Sequence, residues 1–345
     1  MPEPADGFVH TSLPGRVLLG AGTLDRVAEE AGLLEVRRVL LIATRSARDA
    51  ADVVEIGLKD RFAGRIDGVT QHVPTDVAES ARDKARQVEA DGLIAIGGGS
   101  AIGLAKAVAL TTGVPILAVP TTYAGSEMTP VWGETSADGK TTGTDLRVLP
   151  KTVVYDPVLT EHLPMKVTAA SVANALAHCV EAVWTPKADP ITETTAVEGA
   201  RALAAGVRQV LEQPSLEARS NLMYGACLAG SAFASAGSDL HHKICHHLGG
   251  TYNLPHAETH AVVLPQVTRV KSTAVPRAKA RLEHALQTAD LAAGLYDLVA
   301  STGLPTSLRE LGLTEDQARA AGRVFDAEDI LIRAWAGTRP EGATR

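Results

Sequence analysis

The chain has 345 residues, 45% hydrophobic, 21% charged and 3% aromatic, with a formal net charge of −7. That length points to two domains. The acidity disfavours nucleic acid, which calls for a basic face, the scarcity of aromatic rings removes base-stacking platforms, and the apolar runs stop short of a bilayer span. A small-molecule ligand fits best, with neither nucleic acid nor membrane as a partner.

The opening segment, MPEPADGFVHTSLPG, has neither the basic flank nor the apolar stretch of a secretory signal, so a cytoplasmic protein is expected. From residue 36 to about 157, short apolar runs alternate with amphipathic stretches, the rhythm of βαβ units on a parallel sheet. Val39 to Ala43, Gly92 to Ile96 and Pro115 to Val119 read as buried strands, and Ala78 to Ala90 and Ala101 to Leu110 as helices. After Asp156-Pro157 the texture turns alanine-rich, with helices expected over Thr168 to Trp184, Thr192 to Gln213 and Leu216 to Ala236. The expected architecture is an α/β domain with a parallel sheet over 1–157, followed by an all-helical domain over 158–345. The tail beyond Trp335 is expected to fray. Cys179, Cys227 and Cys245 have no paired spacing and read as buried thiols rather than a disulfide framework or zinc site.

Strand GLIAI runs straight into Gly97-Gly98-Gly99-Ser100, which opens a helix. A helix N-terminus exposes unpaired N–H groups, and glycine lets a phosphate approach them, so this turn suits a pyrophosphate; a tight turn without ligand is the plain alternative. A second strand ends in Pro120-Thr121-Thr122 and leads to Ala124-Gly125-Ser126-Glu127. Two such loops at neighbouring strand ends can line one crevice, which favours nucleotide binding. Thr44-Arg45-Ser46 stands where dinucleotide domains often place an acid against the adenosine ribose; Arg45 there would tolerate a 2′-phosphate.

Six of the eleven histidines fall within HHKICHHLGGTYNLPHAETH. His242 and His246 are four apart and share a helical face, Gly249-Gly250 is expected to end that helix, and the loop returns His256 after Pro255. Upstream, Asn174 and His178 repeat the four-residue spacing, so two helices can present polar faces to one cavity. Imidazole can bind a metal, act as acid or base, or donate to an oxyanion, and spacing does not choose among these. His241, His247 and His260 are candidates for bystanders.

Together, GGGSxxGxAK, PTTYAGSE, NALAHCVEA, HHKICHHLGG and LPHAETH resemble the iron-containing, group III alcohol dehydrogenase superfamily. AGSEMTPVWGET, Lys140 to Pro157, PTSLRELGL and IRAWAG extend the likeness to its maleylacetate reductase branch, across nearly the whole chain. The resemblance implies an active site in the cleft between the two domains and a homodimer. It also implies a small dicarboxylate keto-acid substrate and a setting in aromatic-compound catabolism. Gly97, Gly98, Ser100, Thr121, Thr122 and Ser126 would hold NADH or NADPH, with Lys140 near the nicotinamide ribose. In metal-dependent relatives an Asp and three His bind Fe²⁺ or Zn²⁺; the matching positions are Asn174, His178, His242 and His256. The carboxylate is missing, and position 103 is Gly where the alcohol dehydrogenases have Asp, so the expectation is chemistry without a tightly bound metal.

The implied reaction reduces the enone carbon–carbon double bond of maleylacetate to 3-oxoadipate. His246 is expected as donor or proton relay, with His178, His242 and His256 shaping the oxyanion site and Lys243 and Arg147 as carboxylate partners. A metal-dependent alcohol or aldehyde dehydrogenase of the same superfamily, and an inactive nucleotide-binding protein, are the alternatives.

Overall fold

In the computed structural model of the chain, residues 7–69, 73–136 and 139–341 are described. The strands are β1 (Arg16–Leu19), β2 (Val39–Ala43), β3 (Phe62–Asp67), β4 (Gly92–Gly97), β5 (Ile116–Pro120), β6 (Val131–Ser136), β7 (Gly139–Thr144) and β8 (Thr152–Tyr155). Between them run α1 (Val27–Leu33), α2 (Arg48–Leu58), α3 (Thr75–Gln87) and α4 (Gly99–Thr112). The later helices are α5 (Met165–Ala182), α6 (Pro190–Glu212), α7 (Leu216–Ala236), α8 (Leu240–Tyr252) and α9 (His256–Lys271). They continue with α10 (Pro276–Leu286), α11 (Leu291–Ser301), α12 (Glu315–Val324) and α13 (Glu328–Ala336).

The chain sorts into two compact units. One holds Leu13–Leu163 with Pro214–Met223; the other holds residues 7–12, Pro164–Gln213 and the chain from Tyr224 on. The first unit is built on a six-stranded parallel sheet of order β1-β8-β5-β4-β2-β3. Side chains alternate across a strand, and here both faces are covered. Val39, Leu41, Ala43, Ile94, Ile96, Leu117 and Val119 form one core with Val27, Ala31, Ala51, Val54 and Leu58 of α1 and α2. Helix α4 lies against β2, β4 and β5 and packs on α3. From β2 the chain passes to β3 on one side, whereas β4, on the other side of β2, leads on to β5. The β2/β4 boundary is therefore the switch point of the sheet, where ligands of such folds collect.

Sequence patterning did not anticipate β1, β3 or the antiparallel β6–β7 pair. β1 has four residues, three of them exposed, and β3 is half-buried along most of its length, so neither shows the apolar run of a central strand.

In the second unit, α5 is buried at every position from Thr168 to Ala182 and packs on α6 and α9. Asp189 starts α6 by accepting the N–H groups of Ile191 and Thr192, with Pro190 in the first turn. Helix α8 does not end at Gly249-Gly250: it continues to Tyr252 and stops at Asn253, whose φ of 55° is left-handed. The loop then returns His256 after Pro255, as expected, and His256 is the first residue of α9. Of the tail past Trp335, residues 337–339 are tied down rather than frayed, by Gln266 Nε2 on the Thr338 carbonyl at 2.6 Å, the Tyr296 hydroxyl on the Gly337 carbonyl, and an Arg339–Asp297 ion pair, while residues 342–345 lie outside the described residues. No helix among the described residues is long and apolar enough to cross a membrane.

Candidate functional site

In the sheet unit the glycine turn sits at the carboxyl end of β4. Gly97 has φ 147°, and a Cβ there would meet Thr44 Cγ2 at 2.6 Å, so only glycine fits between the ends of β2 and β4. Gly98, the N-cap of α4, would strike Thr122 at 3.0 Å with a Cβ, whereas a Cβ at Gly99 would meet nothing within 4 Å. The Gly97 carbonyl accepts the Thr121 N–H at 3.1 Å, and Gly97 pairs with Pro120 in the sheet register. Gly97, Gly98, Ser100, Thr121 and Thr122 are thus adjacent at the switch point, with Thr44 beside them and exposed Arg45 next in the chain. The Ser126 hydroxyl is buried and makes no hydrogen bond among the described residues. Open space over Gly99, the N–H groups that open α4 and the Ser126 hydroxyl fit the phosphates of a dinucleotide. Lys140 lies on β7 opposite Thr135; its side chain is outside the described residues.

Two buried residues to which the motifs gave no role of their own shape this region. Lys106 of α4 directs its ammonium to the carbonyls of Ser126, Thr129 and Val131 and to the Thr129 hydroxyl, at 2.7 to 3.1 Å. Burial draws it down to about 7, against the nearby Glu127 carboxylate. Glu127 is itself buried, its carboxyl pushed up by burial and hydrogen-bonded by the Tyr155 hydroxyl at 2.7 Å. Gly103 faces Val73, whose Cγ2 would lie 2.9 Å from a Cβ there; the space an aspartate would need is taken.

In the helical unit α5, α8 and α9 gather the imidazoles. His178 and His242 stack with ring centroids 5.2 Å apart, and Phe233 of α7 closes on both at 4.5 and 4.9 Å. His246 lies edge-on to His242 at 6.1 Å and stacks on His256 at 5.9 Å. Asn174 is buried one turn before His178. The cluster grades outward: His178 and His242 are buried, His256 is half-buried and His246 is exposed. The structure therefore brings together the residues expected to act.

His241 and His260, set aside above as bystanders, lie beneath the cluster. Both are fully buried, with His241 Nε2 and His260 Nδ1 3.0 Å apart and His260 only 4.4 Å from His256 between centroids. They also lie close to Cys245, but the His241–His260 hydrogen bond occupies a nitrogen of each ring. Burial, followed by the neighbouring imidazoles, holds His178, His241 and His260 well below the usual histidine range, so all three are neutral near pH 7. A further residue missed is Glu181, whose carboxylate bonds His242 Nδ1 and the His241 backbone N–H. Its signal is present in the sequence, since Asn174, His178 and Glu181 recur at four and three residues on one face of α5.

A divalent cation suits this donor set in nitrogen count. The buried Nδ1 of His178 and Nε2 of His242 make no hydrogen bond among the described residues, and a carboxylate behind one imidazole is a common support for a metal ligand. What the set lacks is a carboxylate as direct ligand. Lys243 and Arg147 are each engaged by an acid: Lys243 lies 3.7 Å from Asp239, and Arg147 meets Asp145 through Nε and Nη2.

The sequence matches the family "Iron-containing alcohol dehydrogenase" over residues 14–157 and "Fe-containing alcohol dehydrogenase family, C-terminal" over residues 168–333. Maleylacetate reductase from Pseudomonas sp. (strain P51) is 45% identical, over 97% of this chain and 99% of its own. Maleylacetate reductase 1 from Rhodococcus opacus is 44% identical over 99% of both chains. The solved structure of maleylacetate reductase from Agrobacterium tumefaciens superposes with a TM-score of 0.92 at 37% identity, covering 97% of this chain and 99% of that one.

Proposed function

The chain belongs to the iron-containing alcohol dehydrogenase family, and from that membership we propose that it is an oxidoreductase reducing the enone carbon–carbon double bond of maleylacetate to 3-oxoadipate. The observation that carries this reading is the graded imidazole cluster His178, His242, His256 and His246, present with an amide at Asn174, in a chain similar over nearly its full length to maleylacetate reductases. The division of labour proposed is a cofactor-binding part, residues 1–157, and a catalytic part, residues 158–345.

Gly97, Gly98, Ser100, Thr121, Thr122 and Ser126 would hold NADH or NADPH, with Lys140 toward the nicotinamide ribose and Arg45 toward the adenosine ribose. Held there, the reduced nicotinamide would supply hydride for the β-carbon of the enone. Negative charge then develops on the ketone oxygen, and preorganised N–H donors in a site of low polarity stabilise it most. His246, exposed at the rim of the cluster, reaches that oxygen and relays the proton that the neighbouring carbon takes up. His178 and His256 shape the oxyanion site around it. Phe233 packs on both His178 and His242 and covers one side of the inner rings. Were a divalent cation bound, His178, His242 and His256 with the Asn174 amide oxygen would hold it and it would supply Lewis-acid stabilisation; the reading takes the imidazoles alone as sufficient. A homodimer in the cytoplasm completes the proposal.

Incubating the purified protein with maleylacetate and NADH, then with NADPH, and following absorbance at the nicotinamide band with product analysis for 3-oxoadipate tests this. Cofactor consumption matched by 3-oxoadipate is expected. Binding of NADH without turnover would overturn it, and activity toward simple alcohols that EDTA abolishes would favour a metal-dependent alcohol dehydrogenase instead.

A further inference from the structure

Glu181 ends the polar face of α5, three residues past His178, and is fully buried. Its two oxygens do different things. Oε1 accepts the backbone N–H of His241 at 2.8 Å, in the first turn of α8. First-turn N–H groups have no intrahelical partner and a helix N-terminus favours negative charge; Asp239, at the N-cap, makes no side-chain cap bond, so a neighbouring helix provides the cap. Oε2 is hydrogen-bonded to Nδ1 of His242.

The second contact has a chemical consequence. A carboxylate only accepts, so Nδ1 must carry the hydrogen, and a neutral imidazole protonated there has its lone pair on Nε2. Nε2 of His242 is buried and makes no hydrogen bond among the described residues. Around the His242 ring stand those of His178, His241, His246, His260 and Phe233. A lone pair in that place cannot donate to a developing enolate.

We infer that Glu181 is a positioning residue of the reductive site: it locks His242 in the Nδ1–H form, makes Nε2 an acceptor for an O–H donor such as water, and leaves donation to the enolate to His246. The inference rests on the proposed reduction for its catalytic part, whereas the tautomer itself does not depend on any substrate.

The test uses the full chain with ¹⁵N-labelled histidine, observed by two-bond ¹H–¹⁵N correlation and assigned through His242→Asn. The wild-type protein should show His242 with a protonated Nδ1 and a bare Nε2. In Glu181→Gln the amide oxygen can keep the cap on His241 while the amide N–H₂ faces Nδ1, so the hydrogen should move to Nε2. There kcat with maleylacetate should fall about ten- to hundred-fold with KM for NADH unchanged. Glu181→Asp should restore the Nδ1–H form and part of kcat, which a purely structural role would not do selectively. A wild-type His242 protonated on Nε2, alone or together with Nδ1, overturns the inference, as does a Glu181→Gln enzyme with reversed tautomer and wild-type kcat. If Glu181→Gln does not fold, the wild-type spectrum decides alone. A wild-type protein with the expected tautomer and no maleylacetate turnover would sink the reaction and leave the tautomer standing.

Discussion

The ammonium of Lys106 lies 2.7 Å from the carbonyl oxygen of Ser126, so the middle of α4 holds from beneath the same loop whose Ser126 hydroxyl is proposed to meet the cofactor. Helix α4 thus joins the two cofactor loops: its N-terminus is the glycine turn and its third turn is the anchor of the neighbouring one.

Replacing Lys106 by Met should therefore act twice. Three carbonyls lose a buried donor, which costs about 3 kcal/mol by the usual size of such losses, and the loosened loop should raise KM for NADH several-fold while kcat changes little. Urea unfolding and steady-state kinetics separate the two effects; unchanged KM would detach Lys106 from the cofactor site.

The same lysine has a pH signature. Burial lowers it from 10.5 to about 7. Below pH 7 both native and unfolded chains carry its proton, and the native state bears the cost of a buried charge. From about 7 to about 10 the unfolded chain alone carries it, so stability should rise with pH across that window, by up to about 1.4 kcal/mol per unit. Denaturation midpoints at pH 6, 8 and 9 should show this rise in the wild type relative to Lys106→Met, and equal slopes in the two proteins would refute it.

The glycine turn separates fold from ligand. Gly97→Ala puts a Cβ 2.6 Å from Thr44 at a φ of 147°, a strain of about 1–3 kcal/mol, and should lower the thermal midpoint. Gly99→Ala enters open space and should leave stability within about 0.5 kcal/mol yet raise KM for NADH. Equal behaviour of the two variants would argue against a phosphate over Gly99.

What was legible beforehand follows from how each feature is encoded. The central strands β2, β4 and β5 are apolar at every position because both faces are covered, and α7 was expected over the residues it occupies. Edge strands and the β6–β7 pair carry no such run. Gly249-Gly250 reads locally as a helix stop, but buried Leu248 and the packing of α8 on α9 carry the helix past it. In the site, histidines announced themselves by crowding, whereas Glu181 and Lys106, inside the motifs NALAHCVEA and GGGSxxGxAK, received no role of their own, since burial is not written in residue type.

Arg45 is exposed beside the switch point, next to Thr44 and close to Gly68. Arg45→Asp should shift the ratio of kcat/KM for NADPH over NADH downward by about ten-fold, the order expected when a charge-assisted hydrogen bond to the 2′-phosphate gives way to like-charge repulsion. An unchanged ratio would remove Arg45 from cofactor selection.

His246 is the exposed member of the cluster, stacked on His256. His246→Ala should lower kcat by about 10²-fold or more, the range for one oxyanion donor or acid, and leave NADH affinity near wild type, because the cofactor contacts proposed lie in the sheet unit. Fluorescence titration of NADH beside kinetics measures both, and a wild-type kcat would return the donor role to another imidazole.

Asn174 is the position at which the proposed treatment of metal can be tested. It lies one helical turn before His178 on α5, buried, and offers a neutral oxygen at the position where the resemblance drawn from the sequence implies an aspartate in metal-dependent enzymes. Three neutral imidazoles and an amide leave the full charge of a divalent ion uncompensated by any direct ligand, with Glu181 acting only through His242. Asn174→Asp restores that charge with nearly the same shape, so Zn²⁺ affinity by calorimetry should rise at least ten-fold, and the thermal midpoint should become dependent on Zn²⁺ concentration, as binding to the native state alone requires. The carboxylate should also cost reductase activity, because a fixed anion beside the oxyanion site opposes the charge that develops there. Wild-type kcat should meanwhile survive EDTA. If Asn174→Asp binds Zn²⁺ no better than the wild type, the imidazoles do not converge on one cation; if EDTA abolishes wild-type turnover and Zn²⁺ or Fe²⁺ restores it, the metal, and not the imidazoles alone, stabilises the enolate.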